Sequence, residues 1–280
     1  MRLTIAYDRL RLEEKLLLEE AKAMNVEASM EDVKTASFDL TAAECRSDVV
    51  LQRCISHVRG LHVAAAYEGM GARVVNSSEV TRLCGDKMLA TIALAREGIP
   101  TPRTRIAFSA EGAMQALDGL GYPAVIKPVI GSWGRLVAKV RDRDEAQTVI
   151  ESRRAEDPYD QLFYVQEYVR RPPRDVRVIV VGDRIAAAIY RYQPDGDWRT
   201  NVARGGKAEP AKMSGEEQEL VLKAARVVGG GVLGVDAMET EKGMVVHEVN
   251  GTVEFKGAAS VTPGSIPKEI IRYAMETAKR

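Results

Sequence analysis

The segment GVLGVDAMETEKGMVVHEVN, residues 231–250, restricts the fold more than any other part of the chain. Its two runs of strand character, GVLGVDAMET and MVVHEVN, bracket ETEKG, where Gly243 offers an easy positive-φ turn position. So short a connection allows only an antiparallel hairpin. Symmetry about residue 242 sets Asp236 opposite Glu248, each six residues from the centre. Side chains two apart share a face, so Asn250 joins Glu248 while His247 points the other way. Two carboxylates and an amide oxygen then converge at one sheet position. Burying them without counter-charge is unfavourable and raises a carboxyl pKa; a divalent magnesium ion, which takes oxygen ligands, resolves the conflict. An exposed polar face carrying ordinary acids is the alternative. For His247, a structural or substrate-side role fits better than metal ligation.

Upstream, RLTIAYD, DVVLQRC and ARVVNSS read as strands that alternate with the helices RLEEKLLLEEAKAM and HVRGLHVAAAYEGMG. This predicts a small parallel α/β domain over residues 1–83. No GxGxxG follows the first strand, which weakens a dinucleotide-binding reading. A second module spans residues 84–280 and opens with the helix DKMLATIALAREG. Pro100 and Pro102 force an extended exit from that helix. An α+β lobe over about residues 96–165 follows, inserted between strands rather than adding a parallel layer. VRVIVV and RIAAAIYRY read as strands joined around Gly182 and Asp183, and PKEIIRYAMETAKR closes the chain as a helix. The fold class expected is therefore α/β followed by α+β.

Lys+Arg and Asp+Glu each number 40, so global charge offers no reason to bind nucleic acid. The apolar runs are too short to span a bilayer, and Asp8 and Arg9 interrupt the opening before a signal-peptide core can form. Three cysteines without paired-ligand spacing read as reduced thiols in a cytoplasmic protein. Three histidines, at 57, 62 and 247, argue against a His-rich zinc site.

VIKPVIGSWGR places Lys127 late in an apolar strand, ahead of Gly131, Ser132, Gly134 and Arg135. Glycines let backbone amides approach phosphate oxygens, Ser132 adds a donor, and Lys127 and Arg135 add charge. The lysine precedes the glycines, so this is not a Walker A loop, and a commonplace two-glycine turn is the alternative. Lys87 reads equally as a phosphate donor or an exposed helix lysine, and Trp133 as a lid contact or a core anchor. In YVQEYV, alternation sends Gln166 and Tyr168 one way and Glu167 the other. Glu167 suits a ribose or an amino group, or is an edge-strand acid. Between Arg170 and Lys212 there are ten Lys/Arg against five acids. Arg177 and Arg191 lie inside strands of this tract, and Asn201 and Arg204 in the loop TNVARGG, which suggests the handling of anionic groups. VEFKGAAS brings Glu254 and Lys256 close after Asn250, lining a pocket or pairing across an exposed turn.

In this order the signals resemble the ATP-grasp superfamily, end to end. NSSEVTRLCGDK, KPVIGSWGRLVAKV, VQEYV, RDVRVIVVG, NVARGG and HEVNGTVEFKG are similar to the LysX/ArgX branch of its RimK-like ligases. That resemblance implies a Rossmann-like pre-ATP-grasp domain ahead of a two-lobed grasp. It also implies an ATP-dependent carboxylate–amine ligase that forms an acyl phosphate. Members join the α-amine of 2-aminoadipate or glutamate to the C-terminal glutamate γ-carboxylate of LysW, a small acidic carrier protein. Lys87, Lys127, Gly131, Ser132, Trp133, Gly134, Arg135, Gln166, Glu167 and Tyr168 would then serve ATP. Asp236, Glu248 and Asn250 would hold magnesium, as two ions, with manganese able to substitute. Lys127, Arg177 and Arg204 would be catalytic, and Arg191, Asn201, Arg204, Thr252, Glu254 and Lys256 would meet substrate. Members often form dimers or tetramers. Asn250-Gly251-Thr252 and SVTPGSIPKEI match the aminoadipate pattern, whereas Glu254-Phe255-Lys256-Gly257 matches the glutamate pattern. Aminoadipate is the expected substrate; glutamate, both substrates, or glutamate addition to another protein tail are alternatives. A nucleotide-binding regulator without ligase activity is the alternative of a different class.

Overall fold

The computed structural model describes residues 1–41, 45–131, 134–156, 161–200 and 207–279. The N-terminal unit runs β1 (Arg2–Tyr7), α1 (Leu12–Ala23), β2 (Glu27–Asp32), β3 (Val49–Gln52), α2 (His57–Gly69) and β4 (Arg73–Val75). Its strands pair in parallel in the order β2-β1-β3-β4. Leu3, Ile5, Val49 and Leu51 bury one face of this sheet, and Ala6 and Val50 bury the other against α2. Both faces are thus apolar, as a helix-covered parallel sheet requires. Helices α3 (Ser78–Gly85) and α4 (Lys87–Arg96) lead out of it.

The inserted lobe contains β5 (Thr104–Ala107), α5 (Ala110–Leu120), β6 (Ala124–Lys127), β7 (Ala138–Val140), α6 (Arg143–Glu156) and β8 (Phe163–Glu167). Its strands are antiparallel in the order β5-β8-β6-β7 and carry a separate core around Leu117, Ile126, Ile150 and Val165. Strand β8 is internal, so Glu167 does not lie on an edge strand.

The third sheet is built from β9 (Arg174–Val181), β10 (Arg184–Tyr192), β11 (Ala208–Pro210), β12 (Val232–Thr240) and β13 (Gly243–Asn250). It is antiparallel, in the order β11-β10-β9-β12-β13. Helix α7 (Gly215–Val227) covers one face, where Val178, Val180, Leu233 and Val235 are buried. Helix α9 (Ile266–Thr277) covers part of the other and shares a core with the N-terminal sheet through Leu17, Ile179, Phe255 and Ile270. Alternation decides the remainder of that second face. Ile179 and Val181 are core residues there, but Asp175 and Arg177, four and two positions before Ile179, line an open cleft. The short α8 (Lys256–Ala259) closes the loop after β13.

The hairpin has the expected partners through an unexpected register. Thr240 pairs with Gly243, whose φ is 108°, so the loop is Glu241-Lys242 and the centre lies half a residue before 242. From Ala237 opposite Val246 the ladder then jumps to Asp236 opposite Glu248. A bulge at His247 supplies the missing residue. Met244, Val246 and Val249 stay in the core, while His247 and Glu248, adjacent in sequence, both line the cleft. The expectation that His247 faces away is corrected: a bulge resets the alternation on which it rested.

Candidate functional site

A cleft of about 920 Å³ lies where the three sheets meet. One wall comes from the inserted lobe. Lys127, the last residue of β6, donates from Nζ to Gln166 Oε1 at 2.7 Å across the sheet. Gln166 is buried, and its Nε2 donates to Thr104 Oγ1 at 2.9 Å and Tyr164 OH at 3.1 Å. Gln166 is therefore an anchor behind Lys127. Burial pulls the Lys127 ammonium down to about 8, with the Glu248 carboxylate opposing that pull. Glu167 receives Arg103 N–H at 2.9 Å and Arg103 Nε at 2.7 Å, and the Tyr168 ring stacks under Lys139 Nζ at 3.7 Å.

Lys87 connects the walls. Asp86 caps α4 by accepting from Leu89 N at 3.0 Å, which puts Lys87 in the first turn. Its backbone N–H donates to Val129 O at 3.1 Å. Its Nζ donates to Gly131 O at 2.5 Å and stands 3.6 Å from Glu248 Oε1. The glycine loop and the acidic strand therefore share one cation. Gly134 and Arg135 line the cleft, and Arg199 Nη1 donates to Gly134 O at 3.1 Å.

The opposite wall is the uncovered end of the large sheet. Arg177 sits across β9–β12 from Asp236, which sits across β12–β13 from Glu248. Arg177 binds both Asp236 oxygens, Nε to Oδ1 at 2.7 Å and Nη2 to Oδ2 at 2.6 Å. Arg191, only 4% exposed, is held by Asp175 through two 2.8 Å bonds and reaches Asp236 Oδ2 at 3.2 Å. Burial alone would raise the Asp236 carboxyl, but the guanidiniums of Arg177 and Arg191 reverse this and hold it well below the usual carboxylate range. The acids thus have counter-charges, contrary to the premise drawn from the hairpin alone. Asn250 Nδ2 lies 3.4 Å from both Gly234 O and Asp236 Oδ2, which places its amide in the same cluster. Neither ring nitrogen of His247 has a hydrogen-bond partner among the described residues, and burial pushes the imidazole down to about 4, so it is neutral.

The loop after β13 is tied down from the N-terminal unit. Asn76 Nδ2 donates to Gly251 O at 2.5 Å, and Arg53 Nη2 donates to Val253 O at 3.0 Å, so Thr252 is fixed between two anchors. Glu254 meets Arg11 Nη1 at 3.2 Å rather than Lys256, and Lys256 N donates to Glu13 Oε1 at 3.3 Å. Sequence patterning does not bring Arg11, Glu13, Glu14 and Arg53 into this arrangement. RLEEK reads as the start of an amphipathic helix, and the distant partners of its two buried acids, Lys256 N for Glu13 and Arg53 for Glu14, are not visible in that pattern.

Most positive charges of the basic tract are paired: Arg174 with Glu239, Arg199 with Asp197, Lys207 with Glu209. Burial pushes the thiols of Cys54 and Cys84 up to about 12, which removes them as nucleophiles. Ser132, Trp133, Asn201 and Arg204 lie outside the described residues. Among the described residues no helix is long and apolar enough to cross a membrane.

Two family models match the chain: the LysX preATP-grasp domain over residues 3–83 and the RimK-like ATP-grasp domain over 84–274. The alpha-aminoadipate--LysW ligase LysX of Saccharolobus solfataricus is 38% identical over 275 residues, 96% of this chain and 99% of that protein. The glutamate--LysW ligase ArgX of Sulfurisphaera tokodaii is 37% identical over 278 residues, 99% of each chain. Identities this close do not separate the two substrates. The crystal structure of a RimK domain ATP-grasp protein from Sphaerobacter thermophilus superposes with a TM-score of 0.84 at 25% identity, covering 98% of this chain and 100% of that one.

Proposed function

The chain belongs to the LysX/ArgX group of RimK-like ATP-grasp ligases, and from this we propose that it joins the α-amine of 2-aminoadipate to the C-terminal glutamate γ-carboxylate of a LysW-type carrier. The observation that carries the reading is the Lys87 bridge between Gly131 and Glu248, which sets the phosphate loop against the acidic strands in one cleft. We divide the chain at residues 83 and 84, with the inserted lobe at about 96–165.

The fold family implies a divalent cation, and the residues present suit one. Asp236, Glu248 and Asn250 offer hard oxygen donors on neighbouring strands, although no cluster of three His, Cys, Asp or Glu side chains occurs among the described residues. When bound, magnesium or manganese, as two ions, would supply Lewis-acid neutralisation of phosphate charge.

The chain's own residues do the rest. Lys87 and the backbone around Gly131 and Gly134 bind the nucleotide phosphates, and Arg135 and Tyr168 flank the nucleotide. Lys127, oriented by Gln166, faces the transferring phosphoryl group as the carrier carboxylate attacks the γ-phosphorus of ATP and ADP leaves. Arg177 and Arg204 stabilise the acyl phosphate. Thr252, Glu254, Lys256 and Asn201 orient the amino acid, whose amine attacks the acyl carbon and expels phosphate. Arg191 acts by holding Asp236.

The test is to incubate the protein with Mg-ATP and the LysW-type carrier, supply aminoadipate or glutamate separately, and weigh the carrier. A mass gain of one aminoadipate residue is expected, and an unchanged carrier in both tubes removes the reading. Gain from glutamate alone would assign the ArgX activity, which Glu254-Phe255-Lys256-Gly257 favours. One methylene separates the substrates, worth about 1–3 kcal/mol in a pocket. A soluble homo-oligomer in the cytoplasm, dimer or tetramer, completes the proposal.

Lys127 also gives a pH signature. With its ammonium near 8, the free protein is partly deprotonated above neutrality, and a polyphosphate raises that value again. ADP binding at pH 8.5 is expected to take up protons, and its affinity to fall as pH rises through 8. Calorimetry in buffers of different ionisation enthalpy measures the uptake, which Lys127→Met should abolish.

A further inference from the structure

We propose that Arg177 is an exchangeable cation on Asp236, displaced from the carboxylate by an incoming divalent ion and thereby released toward the transferring phosphoryl group; this rests on the ligase reading above. The acceptor capacity of Asp236 is already used at Oδ2. Oδ1 takes Arg177 Nε at 2.7 Å, while Oδ2 takes Arg177 Nη2 at 2.6 Å, Arg191 Nη2 at 3.2 Å and Asn250 Nδ2 at 3.4 Å. Each carboxylate oxygen offers about two lone-pair sites, so a metal bond at Oδ2 must displace a donor.

The two arginines are not equally held. Arg191 is anchored by two 2.8 Å bonds to Asp175, which also accepts from the Thr200 hydroxyl, and touches Asp236 through one nitrogen. Arg177 directs its guanidinium bonds to described residues at Asp236 alone, and its side chain is 17% exposed against 4% for Arg191. Arg177 therefore yields. Charge points the same way, because a divalent ion at Asp236 repels both guanidiniums; both line the cleft, but Arg191 is tied to Asp175 and Arg177 is the more exposed of the two. The exchange makes the carboxylate a poor metal site by itself and a good one when phosphate captures the released arginine. Metal and nucleotide then bind with reciprocal cooperativity.

The test titrates Mn²⁺ into the full chain without nucleotide, reading free Mn²⁺ by electron paramagnetic resonance. Arg177→Met is expected to bind at least about tenfold more tightly than the native chain, and to lose most of the tightening that ADP confers on the native chain. Asp236→Asn should abolish tight binding in both backgrounds. Equal or weaker binding by a folded Arg177→Met variant overturns the exchange. Should that variant fail to fold, Arg177→Lys, with its charge kept and the two-point clasp lost, is expected to bind roughly two- to fivefold more tightly. In the native chain the Arg177 Nε–Hε resonance must shift on adding Mg²⁺ and ADP, and an unmoved resonance overturns the proposal. A chain that ligates carrier but shows no tightening in Arg177→Met loses the exchange alone; one that takes up no divalent ion even with ADP loses the ligase reading as well.

Discussion

Asp236→Asn is expected to lower carrier ligation on the order of 10³-fold while the chain stays folded. Asp236 is where the cleft's charges meet: it receives Arg177 and Arg191, borders Asn250, and stands opposite Glu248. Asparagine preserves the volume and removes the anion. Arg191 keeps its two bonds to Asp175, and Arg177 is free to turn into the cleft, so no guanidinium is sealed in without a partner. The loss of stability should stay within about 1–3 kcal/mol, the scale of hydrogen bonds to a charged group. Rate measurements beside a thermal melt separate the two effects. Asp183→Asn, at a side chain 87% exposed, should change neither.

Glu14→Gln should give the largest loss of stability. Its carboxylate is 0% exposed and accepts from Arg11 Nη2 at 2.7 Å and Arg53 Nε at 3.2 Å. Burial alone would raise the Glu14 carboxyl, and Arg11 and Arg53 bring it below its ordinary value. Arg53 is itself 2% exposed, and its other bond to a described residue goes to Val253 O. Removing the anion strands a buried cation, a change worth about 3–5 kcal/mol. At about 2–4 °C per kcal/mol, the first melting transition should fall by roughly 10 °C. Because Arg53 also holds the chain beside Thr252, KM for the amino acid should rise more than kcat falls. Glu79→Gln, in the exposed pair with Arg82, should leave the melt unchanged, as surface pairs contribute little.

What the sequence shows and what it hides divide along physical lines. Leu3, Ile5, Val49 and Leu51 are legible because buried parallel strands are apolar. Strand β2, EASMED, is not: it is an edge strand whose side chains remain partly exposed, so it has no apolar run to betray it. The pairing of Asp236 with Glu248 is legible, but from a centre half a residue off, and the bulge at His247 restores it. A bulge reflects packing on both sides of the sheet, and the strand's own residues do not announce it. Arg177 stands out as awkward within a strand, yet its partner Asp236 is 59 positions away on β12, a pairing no local pattern encodes. The buried Glu14 reads as part of an amphipathic helix for the same reason, since Arg53 lies 39 positions on. A pairing of Glu254 with Lys256 gives way to Arg11, which only the packing of α1 against the last strand's exit brings near.

The chemistry assigned to the cleft stands or falls on the phosphorylation of a carboxylate. Carrier labelled with ¹⁸O in its terminal γ-carboxylate, converted in one turnover with ATP and aminoadipate, reports on that step. The oxygen that attacks the γ-phosphorus stays on phosphorus when the amine displaces it, so the released phosphate should carry one ¹⁸O per molecule. Phosphate free of label, with the carrier conjugated, would rule the acyl phosphate out.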